Sequence, residues 1–303
     1  MKTAAVVVDW RRPQETIEAL RSLAAMSPAP DLLICVENGS LTEERAIVRL
    51  KAPPQTQFVE LVENLGFAGG CNAGMQIAVD AGADWTLMLN NDATVAPNCL
   101  SACLEAATAD QRIGIVGPAV AFADKPDRLW YGGGLVSYWF GFTRHRGLGG
   151  PASKPPPSSD VSYVSACCAL FSSRAWLDVG PFRADFFSYY EDAEWCQRAA
   201  SRGWRGLYLG EVLCWHAVGV SSNQRGSLGL GDNTAYYLAR NPLRFAIESR
   251  PLLLAVTRVL GLSVVWNAYN AWRVVRTGRA AVARSYLHGL RDAIQGRMGP
   301  RLG

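Results

Sequence analysis

Hydrophobic runs and polar stops alternate through the first half of the chain. Ala4 to Val8 is rich in valine and halts at Asp9; a short apolar run bounded by polar residues predicts a buried strand. Pro13 opens a helix with Ile17, Leu20 and Ala24 on one face, and proline suits a first helical turn. Leu32 to Val36 predicts a second strand, ending at Glu37-Asn38-Gly39-Ser40. Phe58 to Val62 predicts a third, ending at Glu63-Asn64. Glycines follow, then a helical pattern from Asn72 to Val79. Trp85 to Leu89 predicts a fourth strand, which stops at Asn90-Asn91-Asp92. This alternation with short connections predicts an α/β fold, a mostly parallel sheet flanked by helices. Several strands stop in polar residues at their C-terminal ends, so one ligand-binding rim is expected.

The second half is patterned differently. Gly132 to Asp160 is rich in glycine and proline and predicts a mobile loop inserted in the domain. Val161 to Phe171 resumes as a strand-like apolar run, and residues 185–216 concentrate aromatics, carboxylates and a histidine. Gly219 to Asp232 has the composition of a lid. Leu252 to Trp272 contains one charge, Arg258, but Asn267 and Asn270 interrupt it, and Arg273, Arg276, Arg279 and Arg284 follow. Amphipathic helices lying on a membrane surface fit this better than a span; a helical cap with its arginines outward is the alternative. The expected division is a catalytic domain over 1–245 and a basic, apolar helical C-terminal extension over 246–303.

Composition refines this picture. Of 303 residues, 49% are hydrophobic and 18% charged, which excludes a wholly disordered chain. The net charge is only +4, but from Arg250 onward nine arginines face one acid, Asp292, so the tail carries +8 and the remainder −4. Such asymmetry suggests a tail that faces something anionic. The body has no global basic patch, so no nucleic-acid partner is expected. None of the eight cysteines forms a Cys-x-x-Cys pair; buried reduced thiols, and with them a cytosolic compartment, explain them best. The short N-terminal valine run lacks the features of a signal peptide.

Four constellations carry candidate chemistry. Glu37, after the second strand, can accept hydrogen bonds from a base or ribose, or belong to an ordinary turn. Asn64-Leu65-Gly66-Phe67-Ala68-Gly69-Gly70-Cys71-Asn72-Ala73-Gly74 lets backbone approach a ligand closely and leads into a helix N-terminus. It has neither the dinucleotide fingerprint spacing nor the lysine of a P-loop. Asn90-Asn91-Asp92 offers one carboxylate among neutral oxygens, suited to a hard divalent cation that carries phosphates, or forms an Asx-rich turn. Tyr189-Tyr190-Glu191-Asp192-Ala193-Glu194, with His216 downstream, offers a general base or acids that complement a helix dipole.

Taken in order, these motifs resemble glycosyltransferase family 2, the inverting GT-A (Rossmann-like) enzymes, in its rhamnosyltransferase-like bacterial branch. The similarity runs over roughly residues 3–245, from Val8-Asp9-Trp10 through the Asn64–Gly74 segment, Leu89-Asn90-Asn91-Asp92, Gly180-x-Phe182 and Phe187-x-Tyr189-x-Glu191-Asp192 to His216-x-x-Gly219-x-Ser221. Arg240-Asn241, after Tyr236-Tyr237, matches a less specific downstream signature. The resemblance implies a nucleotide-diphosphate sugar donor, dTDP-rhamnose first and UDP-sugars next. It implies Asp192 as catalytic base with Glu191 beside it, and Asp92 with His216 holding Mg2+ or Mn2+. Asp9, Glu37, Asn64, Gly66, Phe67, Ala68, Gly69, Asn72, Asn90 and Asn91 would line the donor side. Asn90 replaces the first Asp of the family's usual Asp-x-Asp pair. Trp10-Arg11 replaces a more usual Tyr-Asn.

The expected acceptor is a glycan or polyprenyl-linked glycan, since polybasic helices favour anionic cytoplasmic membrane. The expected location is cytoplasmic, peripheral on the inner face of the plasma membrane. Two other readings stand beside this one. One is an inactive family member serving as a binding or scaffold subunit. The other is a sugar nucleotidyltransferase, against which Asp9-Trp10-Arg11-Arg12-Pro13, lacking glycine, argues.

Overall fold

The structure is a computed structural model that describes residues 1–137, 142–218, 231–249, 272 and 280–301. The expected lid over Gly219 to Asp232 and the apolar stretch from Leu252 to Trp272 therefore lie almost wholly outside the described residues.

The first half alternates as the hydrophobic pattern predicts: β1 (Thr3–Asp9), α1 (Pro13–Ala24), β2 (Leu32–Asn38), α2 (Thr42–Lys51), β3 (Thr56–Leu61), α3 (Gly66–Asp80) and β4 (Trp85–Asn90). The second half contains β5 (Ala93–Val95), α4 (Cys99–Thr108), β6 (Ile113–Phe122), β7 (Leu129–Tyr131), β8 (Gly134–Ser137), β9 (Phe142–His145), β10 (Ser159–Asp160), β11 (Cys168–Ser172) and α5 (Ser173–Val179). A short 3-10 turn (Ala184–Phe186), α6 (Glu191–Ser201), β12 (Arg205–His216), α7 (Asp232–Glu248) and α8 (Ala280–Gln295) follow.

The main sheet runs β10-β12-β6-β11-β4-β1-β2-β3. The neighbours β4, β1, β2 and β3 are mutually parallel, as are β6 and β12, whereas β11 enters antiparallel between β4 and β6. Every residue of β1 is buried, because helices cover both faces of the sheet. Ala5 and Val7 join one core with Ile17, Leu20 and Leu23 of α1. Ala4, Val6 and Val8 join the other with Met75 and Ala78 of α3. β1 sends its chain to β2 on one side and lies against β4 on the other. That reversal of strand order opens a crevice at the strand C-termini.

Three departures from the sequence pattern have local causes. α3 starts at Gly66 instead of Asn72, so most of the glycine segment is helix. A Cβ at Gly70 would stand 2.6 Å from Val8 Cγ1, and one at Gly74 would collide with Val6; glycine there permits a close approach of α3 to β1. The inserted segment contains the β8–β9 hairpin. The run from Val161 becomes strand only at Cys168.

α7 runs through residue 245 and packs against α8, with Ala235, Ala239, Val282 and Tyr286 forming a small core. Among the described residues no helix is long and apolar enough to cross a membrane.

Candidate active site

The crevice at the strand ends is a cleft of about 1520 Å³. That exceeds the roughly 300–1,000 Å³ of single-ligand pockets and leaves room for two substrates. Asn64, Gly66, Phe67, Asn90, Asn91, Asp92, Glu191, Asp192 and His216 all line it. Asp9, Glu37, Ala68, Gly69 and Asn72 do not.

Asp92 and His216 are 124 positions apart in sequence but lie side by side, with Nε2 of the imidazole 3.0 Å from Oδ1 of the carboxylate. Antiparallel pairing of β5 with β12 sets this register: His216 stands opposite Ala93, and the Ala217 amide donates to the Asp92 carbonyl. Asn90 Nδ2 is 3.5 Å from the same imidazole nitrogen. Trp130 packs edge-on against His216 with ring centroids 4.5 Å apart.

These residues fit a divalent cation. They offer one carboxylate and one imidazole, and the buried Oδ1 of Asn90 and Nδ1 of His216 have no hydrogen-bond partner among the described residues. No group of three His, Cys, Asp or Glu side chains among the described residues could hold a metal alone. A site of this kind draws its remaining oxygens from a bound phosphate, as Mg2+ sites commonly do.

At the end of β2 it is Asn38, not Glu37, that lines the cleft, and it braces the glycine segment. Its Oδ1 accepts from Leu65 N at 2.9 Å, and its Nδ2 donates to Asn64 Oδ1 and Gly66 O, both at 3.0 Å. Successive strand residues face opposite sides, so Asn38 reaches the cleft and Glu37 turns away. Glu37 is fully buried and forked by Arg49 of α2. Asp9 is also fully buried; it accepts from Thr16 Oγ1 at 2.6 Å and Ser40 Oγ at 2.7 Å. Burial raises its proton affinity against those two bonds. Thr16 in turn accepts from Asn91 at 3.2 Å, so Asp9 braces a residue of the cleft wall without lining it. Asn72 clamps the Phe182 backbone, donating to its carbonyl at 2.8 Å and accepting from its amide at 2.9 Å. Ala68 N donates to Phe187 O at 3.2 Å, and a Cβ on Gly69 would stand 2.6 Å from Leu65 Cβ.

Glu191 and Asp192 open α6 and line the same cleft. Asp192 accepts from Ala193 N at 2.7 Å and Ala166 N at 3.2 Å. Burial raises its proton affinity, against the pull of those amides. Glu191 is raised as well, by burial first and then by the charge of Asp192. Its Oε2 has no partner among the described residues. Two adjacent carboxyls with raised proton affinities are suited to holding or taking a proton near neutral pH.

Sequence reasoning missed several lining residues. His145 reaches the cleft from the inserted segment, Trp130 and Tyr163 from either side of it, and Pro300 and Arg301 from the other end of the chain. His145 Nδ1 donates to Trp130 O, 3.0 Å away, and burial lowers its pKa to about 4, so its ring is neutral at physiological pH. Only the aromatic density before the hairpin hinted at these groups.

A mostly parallel α/β sheet with its cleft at the strand ends is the architecture of a GT-A sugar transferase. Solved structures share this fold. A mannosyltransferase from Pyrobaculum calidifontis, in complex with GDP-Man and Mn2+, superposes with a TM-score of 0.54 at 14% identity, over 98% of this chain and 88% of that one. S. aureus TarS 1–349 in complex with UDP-GlcNAc gives 0.58 at 15% identity, over 98% and 82%. The sequence model of glycosyl transferase family 2 matches residues 5–176, more than half of the chain. The chain belongs to glycosyl transferase family 2. Among similar proteins, the N-acetylglucosaminyl-diphospho-decaprenol L-rhamnosyltransferase of Mycobacterium tuberculosis is 26% identical over 268 residues, 76% of this chain and 83% of the relative. Galactofuranosyltransferase GlfT1 of the same organism is 34% identical over 126 residues, 41% of each chain.

Proposed function

We propose that this glycosyltransferase moves rhamnose from dTDP-rhamnose to a hydroxyl of a lipid-linked glycan, inverting the anomeric centre. The observation that carries the reading is the convergence, on one cleft, of the Asp92–His216 pair and the Asp192 carboxylate. Asn64, Gly66 and Phe67, with Asn38 behind them, hold the nucleotide and sugar. Asp92 and His216 hold Mg2+ or Mn2+ with the donor diphosphate. A divalent cation bound there supplies positive charge to the leaving diphosphate. Asp192 takes the proton of the acceptor hydroxyl as it attacks from the opposite face, and burial keeps its proton affinity high, with Glu191 beside it. Holding both reactants in one cleft contributes much of the acceleration. The named activity of the mycobacterial relative supports rhamnose and a polyprenyl-diphosphate-linked N-acetylglucosamine.

The acceptor's lipid implies work at a membrane surface. On α8, Arg284, Arg291, Leu287 and Ile294 are all exposed, a combination suited to an anionic cytoplasmic leaflet. We place the enzyme there as a peripheral protein, with residues 246–303 as its contact region.

Thermal shifts with a panel of nucleotide sugars, with and without Mn2+, test the donor. A ligand of the native state raises apparent stability by mass action, so dTDP-rhamnose should give the largest Mn2+-dependent shift. A larger shift with a UDP-sugar overturns that choice. Product mass with a synthetic N-acetylglucosaminyl-diphospho-lipid tests the acceptor. Flotation with anionic liposomes tests the surface, and equal flotation of protein with and without residues 246–303 removes it.

A further inference from the structure

The loop before Glu191 has a backbone that ordinary residues avoid. Phe187, Tyr189 and Tyr190 have φ of +66°, +71° and +75°. None is glycine, and large side chains resist this left-handed region. Such a cluster persists only where its surroundings over-determine it. The surroundings are two adjacent, fully buried side chains of α7, Arg240 and Asn241. Asn241 Nδ2 is shared among the carbonyls of Phe186, Ser188 and Tyr189, at 3.0, 2.8 and 2.7 Å. Arg240 donates to the carbonyls of Phe186 at 2.8 Å, Asp185 at 3.2 Å and Gly299 at 2.6 Å, and through Nε to Asn241 Oδ1 at 2.8 Å.

The Arg240 guanidinium is matched by carbonyl dipoles and by the rings of Tyr236 and Tyr237, 5.3 and 4.9 Å away. Burying a full charge among neutral partners is a costly way to stabilise a fold. The loop it holds joins both walls of the cleft. Its Phe187 carbonyl accepts from Ala68 on the donor side, and its last residue, Tyr190, precedes Glu191 and Asp192. Tyr237, next to the cleft, stacks on Phe187 at 5.3 Å.

We propose that Arg240 and Asn241 are positioning residues for the transfer reaction: they pin the 186–190 loop so that the Asp192 carboxylate is held at a fixed distance from the donor-side glycine segment. This rests on the reading of Asp192 as the base. Releasing the loop lets the carboxylate drift from the acceptor hydroxyl while Asn38, Asn64, Asp92 and His216 keep the donor. Misplacement of about 1 Å costs a catalytic step roughly a hundredfold.

Steady-state kinetics of Asn241→Ala and Arg240→Lys, with dTDP-rhamnose, Mn2+ and a synthetic N-acetylglucosaminyl-diphospho-lipid, test this. The expected result is a kcat lower by roughly a hundredfold for Asn241→Ala and by less for Arg240→Lys, with the donor KM within threefold. A merely structural role would lower the amount of folded enzyme and leave the kcat of the folded fraction unchanged, which overturns the proposal. A raised donor KM at unchanged kcat also overturns it. Arg240→Lys carries the same test if Asn241→Ala does not fold. Hydrogen exchange gives a substrate-free readout: amides of 186–191 should exchange at least tenfold faster in Asn241→Ala, with α3 unchanged, and equal protection in both proteins counts against the role. Asp192→Asn separates the two readings. If it retains turnover, the base assignment fails and takes this inference with it; if it is inactive while Asn241→Ala is not, only the positioning role fails.

Discussion

On the donor wall of the cleft, Asn38 and Gly66 take their places from regular elements, β2 and the first turn of α3, and Asn64 from the short connection between β3 and α3. Glycines at 70 and 74 let that helix settle on β1. On the α6 side of the cleft, Glu191 and Asp192 follow three left-handed, non-glycine residues in a loop held by side chains more than 50 positions away. One wall is shaped by what is missing, a set of Cβ atoms; the other is shaped by added hydrogen bonds. Carbonyls are everywhere along a chain, so the second strategy places a reactive group without demanding glycine near it. Its cost is dependence on a distant helix.

The largest expected effect is on the second wall. Asp192→Asn should lower transfer by about 10²–10⁴-fold, the usual range for a general base, with donor affinity within threefold by calorimetry. Turnover within tenfold of wild type would falsify the assignment. Next comes Gly66→Ala, on the first wall. Gly66 has φ +77°, and an added Cβ would strike the Phe187 carbonyl, so denaturant unfolding should show a loss of about 3 kcal/mol. A loss below about 1 kcal/mol would mean that the contact between the walls is slack. Asp92→Ala should remove the gain in donor affinity that Mn2+ confers, roughly tenfold or more; isothermal titration with and without Mn2+ reads it.

The pH dependence sharpens the contrast. As the proposed base, Asp192 would have to be ionised to act, and burial raises its proton affinity. The acid limb of kcat/KM should therefore fall above the ordinary carboxylate range near 4. Stability carries the opposite sign. A carboxyl whose folded pKa is raised contributes stability that is complete below its unfolded pKa and lost as pH rises through the folded one. Glu191→Gln should gain on wild type as pH climbs through that window, and a pH-independent difference would contradict the burial of Glu191. The smallest effect is expected at Glu37→Gln: less than twofold in donor affinity, since Arg49 and not the cleft faces that carboxylate.

Much of this was legible in the sequence. The β1-to-β4 alternation, the rim at the strand ends and the gathering of Asn64, Asp92, Asp192 and His216 all follow from local pattern and motif order. Glu37 shows the limit, because the choice between Glu37 and Asn38 depends on strand phase, which a turn-rich polar stop does not fix. The inserted segment read as loop because its glycines and prolines hide three short strands, β8 to β10, and with them His145. Arg240 and Asn241 stood out only as a pair of letters; their partners are backbone carbonyls, which leave no trace in residue identity.

The pairing of β5 with β12 also sets a timetable. Residues 92 and 216 are 124 positions apart, so at ribosomal speeds of about 5–20 residues per second Asp92 waits about 6–25 s for its imidazole. Gly299, whose amide donates to the Asp185 carbonyl at 2.7 Å, is made later still. A nascent chain thus has its donor cradle long before the loop that aims Asp192 is locked. On the proposed reading, a message truncated before residue 299 should yield a protein that binds a nucleotide sugar and transfers it poorly.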